Sequence, residues 1–134
     1  MSPDKLLEAA HLARERAYAP YSHFRVGAAV ATHDGRVFHG CNVENASYGL
    51  TNCAERTALF AAIAGGVKPG EFAQMAVIAD TAQPVAPCGA CRQVMIELGG
   101  AQLPVLLANL QGLQHATTAG ALLPGPFTAY PRCE

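Results

Sequence analysis

Phe72-Ala73-Gln74-Met75-Ala76-Val77-Ile78-Ala79, then Pro87-Cys88-Gly89-Ala90-Cys91-Arg92-Gln93, then Pro104-Val105-Leu106-Leu107-Ala108-Asn109 decide the fold. The first and last are short apolar runs that read as strands. Between them Gly89 to Leu98 reads as a helix, stopped by Gly99-Gly100. A helix between two strands permits a parallel crossover. The link from Asn109 to Leu113 is too short for a second crossover. The fifth strand, Leu113 to Thr117, therefore runs antiparallel to the fourth. Thr118 to Leu123 reads as a short helix before Pro124.

Upstream, Cys53 to Ala64 reads as a helix closed by Gly65-Gly66. Val26 to Ala31 and Arg36 to Val43 read as strands joined around Asp34-Gly35, a strong hairpin signal. Ser2 and Pro3 read as N-cap and first helical residue. Leu6, Leu7, Ala10, Ala13 and Ala17 then fall at helical spacing, and Pro20 is expected to end that helix. The order α-β-β-α-β-α-β-β-α predicts an α/β fold of three α/β/α layers, with a mixed five-stranded sheet between helices.

The length, 134 residues, predicts one domain spanning 1–134. Charged residues make up 14% of the chain, low against a typical ~25%. With so few charges on its outside, some apolar surface is expected to face another subunit. Net charge is −1 and no Lys/Arg run appears, which disfavours a nucleic-acid partner. The five cysteines are an odd number, which argues for a reducing compartment rather than a disulfide framework. Met1 to Lys5 lacks a basic run followed by an apolar one, and no apolar stretch reaches the ~20 residues that span a bilayer. The expectation is a cytoplasmic protein with no membrane partner and a free thiol at Cys133.

The chemistry lies in Cys53-Ala54-Glu55 together with Cys88 and Cys91. Zn²⁺ favours thiolate, and a catalytic zinc keeps three protein ligands and leaves its fourth position to water. A carboxylate beside that position can move protons on and off the water. Cys53, Cys88 and Cys91 are thus the candidate ligands of one Zn²⁺ per chain, and Glu55 the candidate acid–base. Two plainer readings compete. Cys88-x-x-Cys91 alone reads as a redox pair, but that leaves Cys53 and Glu55 without a role. Cys41 as fourth sulfur would make a closed structural zinc site, but it has no paired spacing with Cys53.

Cys53 and Cys88 both fall at expected helix starts, where unpaired N–H groups and the positive dipole end favour thiolates. Zinc with three thiolates carries a net charge of about −1, which a nearby cation offsets. Arg56 and Arg92 both lie close enough in sequence, and Arg56 is the candidate for thiolate contact. Residues two apart on a helix point about 200° apart. Cys53 and Glu55 are therefore expected to need a frayed or tight first turn to share one site.

Cys53-Ala54-Glu55-Arg56-Thr57-Ala58 and Pro87-Cys88-Gly89-Ala90-Cys91-Arg92-Gln93 resemble the small homotetrameric cytidine deaminases. So do Phe24-Arg25-Val26-Gly27-Ala28-Ala29, Asn42-Val43-Glu44-Asn45-Ala46-Ser47-Tyr48-Gly49 and Leu122-Leu123-Pro124-Gly125-Pro126-Phe127, in the family's order and spacing. The zinc deaminases are a class the three-cysteine set, the non-ligand Glu and the P-C-x-x-C element already describe. The resemblance implies a cytidine deaminase-like fold and hydrolytic deamination of cytidine and 2′-deoxycytidine to uridine and 2′-deoxyuridine plus ammonia, a pyrimidine-salvage reaction. It implies that Glu55 relays protons to N3 and the leaving amine. By similarity Asn42 and Glu44 hold the ribose 3′-hydroxyl and Phe24 packs against the base. The Ala54 N–H meets the base carbonyl and the Ala86 carbonyl the exocyclic amine; the family often has Ser at this last position, but the contact is through backbone. Phe127 is implied to reach a neighbouring subunit's site within a homotetramer and stack on the base.

Blasticidin-S-type deaminases carry a similar zinc set; Asn42-Val43-Glu44-Asn45 favours the nucleoside enzyme. The polynucleotide-editing branch usually has His-x-Glu where this chain has Cys53-x-Glu55. A non-enzymatic zinc module needs neither Glu55 nor an Asn42/Glu44 pocket. With no phosphate-binding loop and no cationic cluster, CMP is expected to be rejected.

Overall fold

The computed structural model describes residues 1–129; Cys133 lies outside the described residues. The elements are α1 (Pro3–Arg14), β1 (Val26–Thr32), β2 (Val37–Cys41), a single 3-10 turn (Tyr48–Leu50), α2 (Ala54–Ala64), β3 (Phe72–Ala79), α3 (Gly89–Gly99), β4 (Pro104–Asn109), β5 (Gln114–Thr118) and α4 (Ala119–Leu122). They build a five-stranded sheet in the order β2-β1-β3-β4-β5. β3 and β4 run parallel, with Val77 opposite Leu107, and β5 runs antiparallel to β4, with Ala116 opposite Leu106. The other two pairings are antiparallel and join β1 to β2 and to β3. The mixed sheet and the sense of its last strand are as the connection lengths predict.

Successive side chains of a strand face opposite sides, and β1 is buried along its whole length. Ala29 and Ala31 face α1, where they meet Leu6 and Ala10 together with Ala76, Ile78 and Ala108. Ala28 and Val30 face the other layer, where Ala58, Leu59 and Ala62 of α2 and Met95 of α3 cover Met75, Val77, Val105 and Leu107. A strand covered on both faces reads as a continuous apolar run, and β1 and β3 do so.

Two glycines set how closely the helices approach. A Cβ on Gly27 would stand 1.9 Å from the Ala10 carbonyl oxygen, so α1 lies directly on β1. A Cβ on Gly40 would stand 2.3 Å from both the Ala54 carbonyl oxygen and the Ala58 nitrogen. The first turn of α2, which carries the candidate acid–base, is thereby seated against β2.

Most boundaries shift by one or two residues, β2 for instance ending at Cys41 rather than Val43, and the largest difference from the sequence reading is at the end of α1. Ser2 caps α1 as expected, accepting from the Lys5 N–H at 3.3 Å, but the helix ends at Arg14 rather than running to Pro20. Tertiary pairing overrides the helical spacing of Ala17. The Tyr18 N–H donates to the Asn42 carbonyl at 3.0 Å and its carbonyl accepts from the Glu44 N–H at 2.8 Å. That bridge draws the backbone out of the helix just after Ala17.

Candidate active site

Cys53 and Cys88 are the N-cap residues of α2 and α3, and Cys91 is buried in the first turn of α3. Helix N-termini concentrate unpaired N–H groups and positive potential. The sulfurs of Cys53, Cys88 and Cys91 all lie within 4.8 Å of one another. Cys53 Sγ and Cys88 Sγ are 3.8 Å apart. Two sulfurs each ~2.3 Å from one tetrahedral zinc stand about 3.8 Å apart, so the donor set fits that ion in chemistry and spacing. Cys41 is not part of this cluster; it sits on β2 beside Leu12, Arg16 and His39. The closed four-thiolate reading has no fourth thiol among the described residues.

Cys53 lies just outside the helix, in extended backbone with φ −75° and ψ 157°. The rotation that separates residues two apart on a helix does not apply to it. No fraying is required: the Thr57 N–H donates to the Cys53 carbonyl at 3.0 Å as in a regular turn, while Glu55 turns inward and is 4% exposed. Desolvation raises the Glu55 carboxyl to about 7. The Cys53 thiol is held down to about 5, first by its hydrogen bond with Cys91 and then by the Arg56 guanidinium. Sharing that hydrogen bond and burial both keep the Cys91 proton on.

The two arginines separate cleanly. Arg56 Nη2 donates to Cys53 Sγ at 3.3 Å. Arg92 bonds backbone instead: its Nε donates to the Pro87 carbonyl and its Nη1 to the Leu122 carbonyl, both at 2.8 Å. It ties the loop before Cys88 to α4. Its neighbour Gln93 donates to the Phe127 carbonyl at 2.6 Å, so the first turns of α3 hold the segment that carries Phe127.

Beyond β2 the chain continues through Asn42, Val43 and Glu44. Val43 bridges Tyr18 on one side and Asn52, the residue before Cys53, on the other. This places the Asn42–Glu44 segment alongside the approach to the cysteine cluster. Asn42 is buried; its Nδ2 donates to the Phe24 carbonyl at 2.6 Å and its Oδ1 accepts from the Val26 N–H at 2.9 Å. Each end retains one further bonding position. The Glu44 carboxylate accepts from the backbone N–H groups of Tyr21 and Ser22 and from the Ser22 hydroxyl. The Ser22 hydroxyl is the largest influence holding its pKa below the usual carboxylate range. It borders a cleft of about 230 Å³ lined by Tyr21, Ser22, Glu44, Tyr48 and Thr51. Phe24 is 42% exposed. Ala54 is buried at the start of α2, and Ala86 is exposed on the loop before Cys88.

Sequence reasoning missed three supporting residues. Thr57 donates its hydroxyl to the Cys53 carbonyl at 2.9 Å, and Asn52 Nδ2 donates to that hydroxyl at 3.0 Å. Ser22 bonds Glu44 across a separation of 22 residues. A polar residue just before a metal ligand is a signal for the first pair; no local pattern signals Ser22.

The sequence profile described as "Cytidine and deoxycytidylate deaminase zinc-binding region" matches residues 1–107. The chain is 52% identical over 128 residues to a protein of Sporosarcina psychrophila named cytidine deaminase, covering 96% of this chain and 93% of that one. It is 57% identical over 129 residues to a cytidine deaminase of Halalkalibacterium halodurans, with 96% of each covered. The crystal structure of a cytidine deaminase from Burkholderia pseudomallei superimposes with a TM-score of 0.94 at 66% identity, over 95% of this chain and 100% of that chain. Cysteine cluster, buried carboxylate, sheet order and sequence agree, and the chain belongs to the zinc-dependent cytidine and deoxycytidylate deaminase family.

Proposed function

We propose that this chain hydrolyses cytidine and 2′-deoxycytidine to uridine and 2′-deoxyuridine, releasing ammonia, in pyrimidine salvage. The observation that carries it is a buried carboxylate, Glu55, beside three convergent thiols on two helix N-termini. Cys53, Cys88 and Cys91 would hold one Zn²⁺. When bound, the ion supplies a Lewis acid that makes water a nucleophile near neutral pH.

The chain's own groups do the rest. Glu55 takes a proton from the water that attacks C4 and places it on N3 of the ring. It then helps protonate the amino group that leaves as ammonia. Burial favours this relay, because a desolvated carboxyl gives and takes a proton near neutral pH. Arg56 offsets the charge collected on the thiolates. The Ala54 N–H, in the first turn where helix donors are unpaired, is assigned to the base carbonyl, and the exposed Ala86 carbonyl to the exocyclic amine. Asn42 and Glu44 are assigned to the ribose 3′-hydroxyl, and Phe24 to the base.

Phe127 is assigned to a neighbouring subunit's site in a homotetramer. The apolar side chains left outside support an assembly: Leu12, Tyr48, Leu50 and Phe60 are all exposed. A single domain working in the cytoplasm completes the reading. Among the described residues no helix is long and apolar enough to cross a membrane. A panel of cytidine, 2′-deoxycytidine, CMP, cytosine and blasticidin S tests the substrate. Turnover of the two nucleosides alone is expected; preferred turnover of blasticidin S or CMP would refute it.

A further inference from the structure

The loop between α1 and β1 folds around one carboxylate. Glu44 Oε1 accepts from the Tyr21 N–H at 3.0 Å and the Ser22 N–H at 3.1 Å, and Glu44 Oε2 accepts from the Ser22 hydroxyl. The same Ser22 oxygen accepts from the Phe24 N–H at 3.0 Å. One hydroxyl thus joins the residue assigned to the sugar and the residue assigned to the base. The intervening His23 has φ 58°, the left-handed region that a side chain disfavours. The loop is held in that shape by the bonds around Ser22 and by the His23 N–H donating to the Ala19 carbonyl at 3.0 Å.

A carboxylate has about four acceptor positions. Three donors of the loop occupy three of them. By count one position is left, on Oε2, and Glu44 borders the cleft that Tyr21, Ser22, Tyr48 and Thr51 also line. Without the Ser22 hydroxyl the Oε2 side of the carboxylate is free to turn and to take water instead of a ligand.

We propose that Ser22 is a positioning residue that sets specificity for the sugar: its hydroxyl fixes the Glu44 carboxylate so that the remaining acceptor position faces the ribose 3′-hydroxyl. The proposal rests on the assignment of Glu44 to that hydroxyl.

The test compares cytidine with 3′-deoxycytidine, which lacks the hydroxyl, for the zinc-loaded wild type, Ser22→Ala, Ser22→Thr and Glu44→Gln. Ser22→Ala is expected to lower kcat/KM for cytidine about fivefold or more, mainly through KM, the effect of one hydrogen bond. It should change kcat/KM for 3′-deoxycytidine less than about twofold, so that the preference between the two substrates shrinks. Ser22→Thr, which keeps the hydroxyl, should restore the preference. Should Ser22→Ala fold poorly, Ser22→Cys keeps the shape with a weaker donor and reads the same ratio. An equal loss on both substrates would overturn the proposal, because a loop that only supports the fold is blind to one ligand hydroxyl. If Glu44→Gln abolishes the preference and Ser22→Ala does not, Ser22 alone loses its role. If Glu44→Gln leaves the preference intact, the assignment of Glu44 fails and the role of Ser22 with it.

Discussion

Val43 and Asn52 exchange both backbone hydrogen bonds, each N–H donating to the other's carbonyl at 3.0 Å. This two-residue ladder welds the segment after β2 to the residue before Cys53. The segment assigned to the sugar and the first candidate metal ligand are thereby built on adjacent backbone. Asn52 adds a side-chain bond to Thr57, which in turn bonds the Cys53 carbonyl.

Thr57→Val keeps the shape of the side chain and removes both hydroxyl bonds. It leaves Asn52 Nδ2 without its partner in a part-buried place, at an expected cost of about 1–3 kcal/mol. Urea unfolding measures it, and zinc affinity should fall in parallel because Cys53 is less firmly held. A variant as stable as wild type would show that this pair does not support the ligand.

Glu55→Gln keeps size and loses proton transfer. General acid–base steps contribute about 10²–10⁴-fold each, and the proposed relay uses Glu55 in more than one. The fall in kcat should reach the upper end of that range, with zinc content still near one per chain. Retention of more than about a tenth of wild-type kcat would contradict the relay.

Gly40→Ala drives a methyl into the backbone of α2, at 2.3 Å from two main-chain atoms that cannot swing aside. Overpacking of this kind costs about 1–3 kcal/mol or more, and the shift falls on the turn that carries Glu55. Both stability and kcat should drop. Gly35→Ala is the contrast: its φ is 91°, but nothing stands within 4 Å of the new Cβ. It should cost about 1–2 kcal/mol in left-handed strain and leave kcat unchanged.

Phe127 is expected to act across subunits. An aromatic stack contributes roughly 0.5–1.5 kcal/mol beyond area burial, so Phe127→Ala should weaken substrate binding severalfold. Mixing it with Glu55→Gln under conditions of subunit exchange should give more activity than the two parents separately. No gain despite exchange, or a monomer in sedimentation, would mean that each chain completes its own site.

The hairpin, the parallel pairing of β3 with β4, the sense of β5 and the cysteine set were legible because each depends on local pattern: apolar runs, glycine stops, connection length and cysteine spacing. What escaped depends on contacts distant in sequence. α1 stops at Arg14 because Tyr18 pairs with a segment beyond β2, and no helical spacing reports that. Cys53 and Glu55 share a site without fraying because Cys53 caps the helix from extended backbone, a one-residue boundary that periodicity does not resolve. Ser22 is invisible for the same reason, since its partner Glu44 lies on another element. The metal-ligand pattern names three sulfurs; the side chains that hold and aim its neighbours come from the fold.

Cys53, Cys88 and Cys91 are proposed to hold one zinc on which cytidine deamination depends. Cys41→Ser should keep the ion, since that thiol lies outside the cluster. The direct measurement follows the loss of cytidine absorbance while metal content is determined on the same samples. Wild type should carry one zinc per chain, lose metal and activity together in a strong chelator, and regain both on adding zinc. Deamination that persists after the metal has been removed, or zinc lost from Cys41→Ser, would contradict the account.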